Sequence, residues 1–301
     1  MRGEGKAIST LERREKPLAW PESYGDEAEP RVGFFTDTSI CIGCKACEIA
    51  CKEWNLVPQD GFNFSGESFD NTGALDANSW RHVAFIEQKQ HAVGGDDRDD
   101  ALRWLMSSDV CKHCTHAACL DVCPTGALFR TEFGTVVVQQ DVCNGCGYCV
   151  PACPFGVIDR RERDQLPAVA NTEVQGLGTT HKCTLCYDRL KDGMEPACAQ
   201  ACPTKSIQFG PLDELRDRAQ QRVERLHEEG VADARLYGES PHDGVGGMGA
   251  FFLLLDEPEV YGLPPDPVVT TRHLPQIWAS AFAAGAALLA AVAVSVAGSR
   301  G

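Results

Sequence analysis

Positive charge is scarce in this chain. Its 301 residues carry 28 Lys and Arg against 43 Asp and Glu, a formal net charge of −15 at pH 7. That balance excludes the clustered basic face on which nucleic-acid binding depends. Methionine (4) and aromatic residues (8%) are too few for a large conventional core in the middle of the chain. No C-x-x-C-H occurs, so no c-type haem is attached. Arg13-Arg14 lacks the apolar run of a twin-arginine signal, and no cleavable export signal is read. Charge is missing altogether between Arg272 and Arg300, with histidine taken as neutral.

Cysteine, by contrast, is abundant: 16 residues, all between Cys41 and Cys202. They fall into quartets. The first is Cys41, Cys44, Cys47 and Cys51, spaced C-x2-C-x2-C-x3-C. The second, Cys111, Cys114, Cys119 and Cys123, has one gap widened to x4. The third, Cys143, Cys146, Cys149 and Cys153, repeats the first spacing. The fourth, Cys183, Cys186, Cys198 and Cys202, has a middle gap of x11. All but the first end in Cys-Pro, at Pro124, Pro154 and Pro203.

A cubane iron–sulfur cluster needs four soft thiolates converging on its iron corners. A C-x2-C-x2-C loop folds three around one face, helped by Gly43, Gly145 and Gly147. The fourth Cys starts a helix leading away from that cluster, so it ligates the other cluster of a pair. Proline after it suits a first helical turn. Structural zinc also takes four thiolates but favours two separated C-x2-C knuckles. Eight disulfides built from such short loops would be strained. The spacing therefore predicts four [4Fe–4S] clusters. Residues 127–140 read as a hairpin joining the second and third quartets, which makes these an inner pair and the first and fourth an outer pair. The ligand sets expected are Cys41, Cys44, Cys47 and Cys202; Cys51, Cys183, Cys186 and Cys198; Cys111, Cys114, Cys119 and Cys153; and Cys123, Cys143, Cys146 and Cys149.

Outside the quartets, residues 1–32 read as a polar arm. Leu212, Leu215, Ala219, Val223 and Leu226 recur at helical spacing, with Pro211 in the first turn and Gly230 as the stop. A buried strand follows at 250–255 (AFFLLL). Gly244, Gly246 and Gly249 fit G-x-G-x-x-G, but a strand follows where a dinucleotide fold needs a helix, so the run is a turn. GLPPDP at 262–267 reads as a linker to the apolar run 277–297, long enough for a single membrane-spanning helix. Arg272 and Arg300 flank that run without positive-inside asymmetry. The fold class is α+β: an outer ferredoxin-like unit (33–110 with 154–210), an inner one (111–153), a helix–strand extension (211–270) and an anchor (276–298).

Among the remaining residues, Lys45, His181 and Lys182 flank the outer quartets and read as exposed loop side chains. Trp54 reads as a lid beside Cys51, and RRERD at 160–164 as a solvated loop. His113 and His116 lie between thiolates that already suffice, and neither is expected to bind iron.

CIGCKACEIACKEWN (41–55), CNGCGYCVPACPFGV (143–157) and HKCTLCYDRLKDGMEPACAQACPTKSIQFG (181–210) resemble the four-cluster iron–sulfur subunits of molybdopterin oxidoreductases. NSWRHVAF (78–85), the LYGESPHDGVGG turn with its strand, and the single anchor resemble in particular the beta subunit of membrane-bound formate dehydrogenase. The resemblance implies an electron-transfer subunit with no substrate site of its own. A molybdenum or tungsten pterin alpha subunit would oxidise formate, and a membrane gamma subunit, a cytochrome b or another quinone-reactive protein, would receive the electrons. It also implies a cluster body outside the cytoplasm. The alternative is the same role in a reductase of sulfur, N-oxide or sulfoxide substrates. A different class, a redox sensor or scaffold with structural clusters, would tolerate loss of Cys183.

Overall fold

The computed structural model describes residues 30–59, 66, 69–70, 72–90, 101–166 and 174–298. Most of the polar arm, and Arg300, lie outside them.

β1 (Val32–Asp37) and a 3-10 turn (Thr38–Ile40) lead into the first quartet, whose last two cysteines lie on α1 (Ala46–Asn55). A long antiparallel hairpin follows, β2 (Arg81–Gln90) and β3 (Ala101–Val110), in unbroken register from Arg81↔Val110 to Gln90↔Ala101. The second quartet carries α2 (Ala118–Asp121), and the third α3 (Cys149–Ala152). Between them lie β4 (Leu128–Arg130) and β5 (Val136–Val138), paired as the hairpin expected at 127–140. β6 (Asp159–Arg160) and β7 (Thr180–His181) form a minimal pair before α4 (Tyr187–Lys191) and α5 (Ala197–Gln200) of the fourth quartet. β8 (Ile207–Pro211), α6 (Leu212–Glu228), β9 (Arg235–Tyr237), β10 (Ala250–Leu254) and α7 (Leu274–Gly298) come next.

One mixed sheet organises the body, in the order β8-β1-β10-β9, with β1 and β10 parallel and the outer pairs antiparallel. β10 is buried at every residue, as expected of a central strand written as a continuous apolar run. Side chains alternate across β1. Phe35 packs with Phe251 and the apolar face of α6, whereas Phe34 packs among Cys47, Cys183 and Cys198. β1 thus contributes one side chain to a hydrocarbon core and the next to a cysteine-rich one. Gly33 is required where β1 meets the strand entry, because a Cβ there would lie 2.1 Å from the Gly249 carbonyl oxygen.

The helix read from periodicity is α6, and Leu212, Leu215, Ala219, Val223 and Leu226 are its buried residues. Pro211 stands at the N-cap, one residue ahead of the first turn, and Gly230 follows the end at φ +90°. Leu215 is 1% exposed. Leu215→Ala is expected to lower stability by about 2–5 kcal/mol, read as a drop in the denaturation midpoint, through lost burial and the cavity left behind.

The segment 262–267 is no free linker. Leu263 and Val269 are buried, the Tyr237 hydroxyl donates to the Pro264 carbonyl at 2.6 Å, and the Pro267 carbonyl closes on Gly244. Apolar residues in and beside a proline-rich run are enough to dock it. α7 then leaves the body with none of its span buried: 276–298 is 23 residues of mean hydropathy 2.1, and among the described residues this is the one helix long and apolar enough to cross a membrane.

Candidate electron-transfer centre

Each quartet is built the same way. The first two cysteines sit on a loop, the third lies on a helix, and the fourth lies on that helix (Cys51) or just past its end (Cys123, Cys153, Cys202), so the fourth does not start a helix as the spacing suggested. The loops run through left-handed backbone at Gly43, Lys45, Gly145, Gly147, Leu185 and Cys186. Gly145 is the tightest: it sits at φ +70°, and a Cβ would lie 2.1 Å from the Gly178 carbonyl oxygen.

The structure brings the thiols together across quartets, and all sixteen are unbridged. One cavity is walled by Cys41, Cys44, Cys47 and Cys202, with Val83 and Ile207 as apolar lining. A second is walled by Cys111, Cys114, Cys119 and Cys153, with Phe155 and Ile158 beside them. Cys51 lies within electrostatic reach of Cys183, Cys198 and Cys186. Cys149 lies within reach of Cys143 and Cys123. Cys146, on the same loop as Cys143, is exposed. Neighbouring groups also approach one another in series, Cys47 to Cys198, Cys183 to Cys111, and Cys119 to Cys149.

Thiols packed this way are hard to ionise. Burial, then the fields of Cys183, Cys198 and Cys186, pushes Cys51 well above the usual thiol value. Burial, then Cys111, Cys119 and Cys153, does the same to Cys114. Burial takes Cys47 to about 11 against the opposing pull of Arg81. Four buried thiolates face to face therefore need a positively charged core between them, and binding that core releases their protons. Soft donors in fours around apolar cavities fit a [4Fe–4S] cluster.

Several side chains expected at the surface are inside. Lys182 is 2% exposed, donates to the Cys183 carbonyl at 2.9 Å and to the Val136 carbonyl, and borders the second cavity. His181 is buried against the Gly176 carbonyl, which holds its ring Nε2 at 2.9 Å. Lys45 is half-buried between Glu48 and Asp70, each at 3.1 Å. Arg161, read as part of a solvated loop, bonds Asn78 Oδ1, the Ala77 carbonyl and the Gln175 carbonyl at 2.7–2.9 Å. Each is held by carbonyls or carboxylates, most of them supplied from other segments, which local sequence does not reveal. Trp54 is half-exposed and reaches α4, donating from Nε1 to Asp188 Oδ2 at 2.7 Å with the Arg189 guanidinium 4.1 Å over its ring. The His113 Nδ1 accepts from the Val136 N–H at 3.1 Å, and burial, then Lys182 and Arg130, keeps the ring neutral.

Two buried cations carry little signal in the sequence. Arg81 lies among the outer thiols. Lys112, fully enclosed, donates to the Val110 carbonyl at 2.9 Å and to Asp109, with Phe252 and Phe155 about its ammonium at 5.1 and 5.2 Å. The signal for Lys112 is its place inside C-K-H-C, between two cavity-lining cysteines. Arg81 has only its place in the 78–85 segment.

The cavities have distinct surroundings at the two ends of the series. Cys44 is exposed with Ile42 and Ile49 uncovered beside it, and Cys146 is exposed near Tyr148. The chain enters α7 beside the second quartet: the Thr271 hydroxyl donates to Asp121 Oδ2 at 2.8 Å, between Cys119 and Cys123 in sequence.

Comparison with known proteins identifies the relatives of this chain. Two models, each described as a 4Fe-4S dicluster domain, match residues 40–127 and 102–212. The chain is 37% identical over 255 residues to the nitrate-inducible formate dehydrogenase iron-sulfur subunit of Escherichia coli, covering 83% of this chain and 78% of that one. It is 38% identical over 253 residues to the formate dehydrogenase iron-sulfur subunit of Haemophilus influenzae, covering 83% and 73%. It is also 38% identical over 195 residues to one of the polypeptides of the E. coli anaerobic dimethyl sulfoxide reductase, covering 62% and 77%. Two dicluster domains with sixteen cysteines make this a carrier of four [4Fe–4S] clusters, and the protein belongs to the family of formate dehydrogenase iron–sulfur subunits.

Proposed function

We propose that this chain links formate oxidation to the membrane in a formate dehydrogenase complex, taking electrons from a molybdenum or tungsten pterin subunit and delivering them to a quinone-reducing membrane subunit. The observation that carries the reading is the end-to-end series of thiol groups, with exposed apolar side chains near Cys44 and the anchor root near Asp121. The four ligand sets are those expected from the spacing: Cys41, Cys44, Cys47 and Cys202; Cys51, Cys183, Cys186 and Cys198; Cys111, Cys114, Cys119 and Cys153; and Cys123, Cys143, Cys146 and Cys149. The two cavities and the thiol neighbours described above support them. The clusters supply one-electron carriers, through which the two electrons of formate oxidation pass singly.

The protein's own part is to hold these groups in order, exclude water and present the ends. The apolar surface around Cys44 suits the catalytic partner, and the anchor root beside Asp121 supports a bilayer-facing role for the Cys146 end. We assign the outer unit to 33–110 with 154–210, the inner to 111–153, and the cluster body to the extracytoplasmic side. Deleting the chain is expected to abolish formate-to-quinone electron flow in membranes while formate-to-dye activity of the catalytic partner persists. Normal quinone reduction without it would refute the reading. Reduction of an N-oxide or sulfoxide by the complex, with no response to formate, would favour the reductase role instead.

A further inference from the structure

Arg81 is the largest fully buried side chain among the described residues, 2% exposed at the start of β2. Its Nη1 donates to Ser108 Oγ at 3.0 Å and the Ser108 carbonyl at 3.3 Å, and its guanidinium lies 4.9 Å over the Phe34 ring. The same Ser108 hydroxyl is 3.2 Å from Cys47 Sγ, so one hydroxyl separates the cation from a thiol of the first set. Nε and Nη2 are buried with no hydrogen-bond partner among the described residues. A buried donor left unpaired costs roughly 1–3 kcal/mol, more on a charged group. Within electrostatic reach are Cys198, Cys47, Cys183 and Cys51, one thiol from the first outer set and three from the second.

We propose that Arg81 is an electrostatic bridge between the two outer clusters, its open N–H groups and fixed charge turned to both ligand sets, raising both reduction potentials together. Four thiolates make each site anionic, and reduction adds one further negative charge. A permanent cation therefore stabilises the reduced form more than the oxidised form, and the dry surroundings strengthen the effect. Guanidinium suits the task because it does not deprotonate. Serving two neighbouring sites with one charge shifts both in the same direction and so preserves the step between them. The four thiols within its reach all belong to the outer sets, so removing Arg81 is expected to spare the inner pair.

The inference rests on the ligand sets proposed above, and the experiment separates the two. Holo-complexes carrying Arg81→Met, Arg81→Gln or Arg81→Lys are titrated electrochemically with each cluster followed by electron paramagnetic resonance, alongside iron analysis. With iron unchanged, Arg81→Met and Arg81→Gln are expected to lower the potentials of two clusters. At a fixed potential the oxidised-to-reduced ratio would rise at least about tenfold at each, or about 59 mV for a one-electron couple. The other two clusters stay near the parent values. Arg81→Lys keeps the charge and is expected to hold both potentials within a few-fold of the parent ratio. Full iron with four unmoved potentials in a neutral variant would overturn the inference while leaving the ligand sets intact. A tenfold shift in Arg81→Lys would also overturn it, and this variant decides the matter if neither neutral one assembles. Iron far below sixteen in the parent would instead strike at the ligand sets.

Discussion

Replacing Cys183 by Ser is expected to remove about four of about sixteen irons per chain and to abolish formate-to-quinone electron flow, with dye reduction at the catalytic subunit unaffected. Cys183 is buried, its Sγ accepts the Leu185 N–H at 3.2 Å, and it lies in reach of Cys186, Cys198 and also Cys111. On the proposed ligand sets it stands where the outer pair meets the inner pair, and a gap there is expected to cut the series in the middle. A serine hydroxyl is a harder and much less acidic ligand, ill matched to iron in a sulfur cage. Iron, resonance signals and quinone activity of the variant are measured together. Full quinone activity with one cluster missing would mean that the clusters are structural. The cross-quartet ligands give a sharper version. Cys202→Ser and Cys41→Ser should lose the same resonance signal, although their residues lie far apart in the sequence, and Cys51→Ser should lose a different one.

Ending the chain after Arg272 is expected to move it wholly from the membrane fraction to the soluble fraction with its iron retained. α7 has 25 residues, and at 1.5 Å per residue it is about 38 Å long, enough to cross a hydrocarbon layer of about 30 Å. Among the described residues none covers it: Phe282, Leu288, Leu289 and Val294 are all about 70% exposed. Alanine makes up much of the helix, so its insertion energy is modest, and a single Leu289→Arg near mid-span, costing about 2.5–3.5 kcal/mol, should also shift the partition. Fractionation of the full and shortened chains, each expressed without partners, reads the result. A shortened chain that still sediments with membranes would show that the body binds lipid by itself.

Much of this architecture is legible because it is written in local spacing. The quartets, the 127–140 hairpin, the face of α6 and the central strand each need only a few neighbouring residues to declare themselves. The pairing of distant quartets is an inference from spacing and chain order that the resonance signals of the cysteine variants above would test. What local pattern does not give is the fate of charge. Lys182 and Arg161 read as surface residues and Arg81 carries no burial signal, yet each is buried against carbonyls, hydroxyls or thiols brought from far along the chain. For Arg81, which lies within reach of four thiols, a cysteine core explains the difference, whereas Arg161 and Lys182 are held by oxygen acceptors. An ordinary hydrocarbon core repels a cation, whereas one lined by thiolates draws it in. The proline-rich 262–267 segment misleads for a related reason: its composition suits a linker, but Leu263 and Val269 join the hydrocarbon core that α6 and Tyr237 of β9 help to form.

The most direct test is to purify the protein from membranes by affinity and measure iron, molybdenum and tungsten, together with formate-to-dye turnover. The account predicts about sixteen irons per chain, a co-purifying pterin metal and turnover with formate. Zinc in place of iron would contradict it at its root.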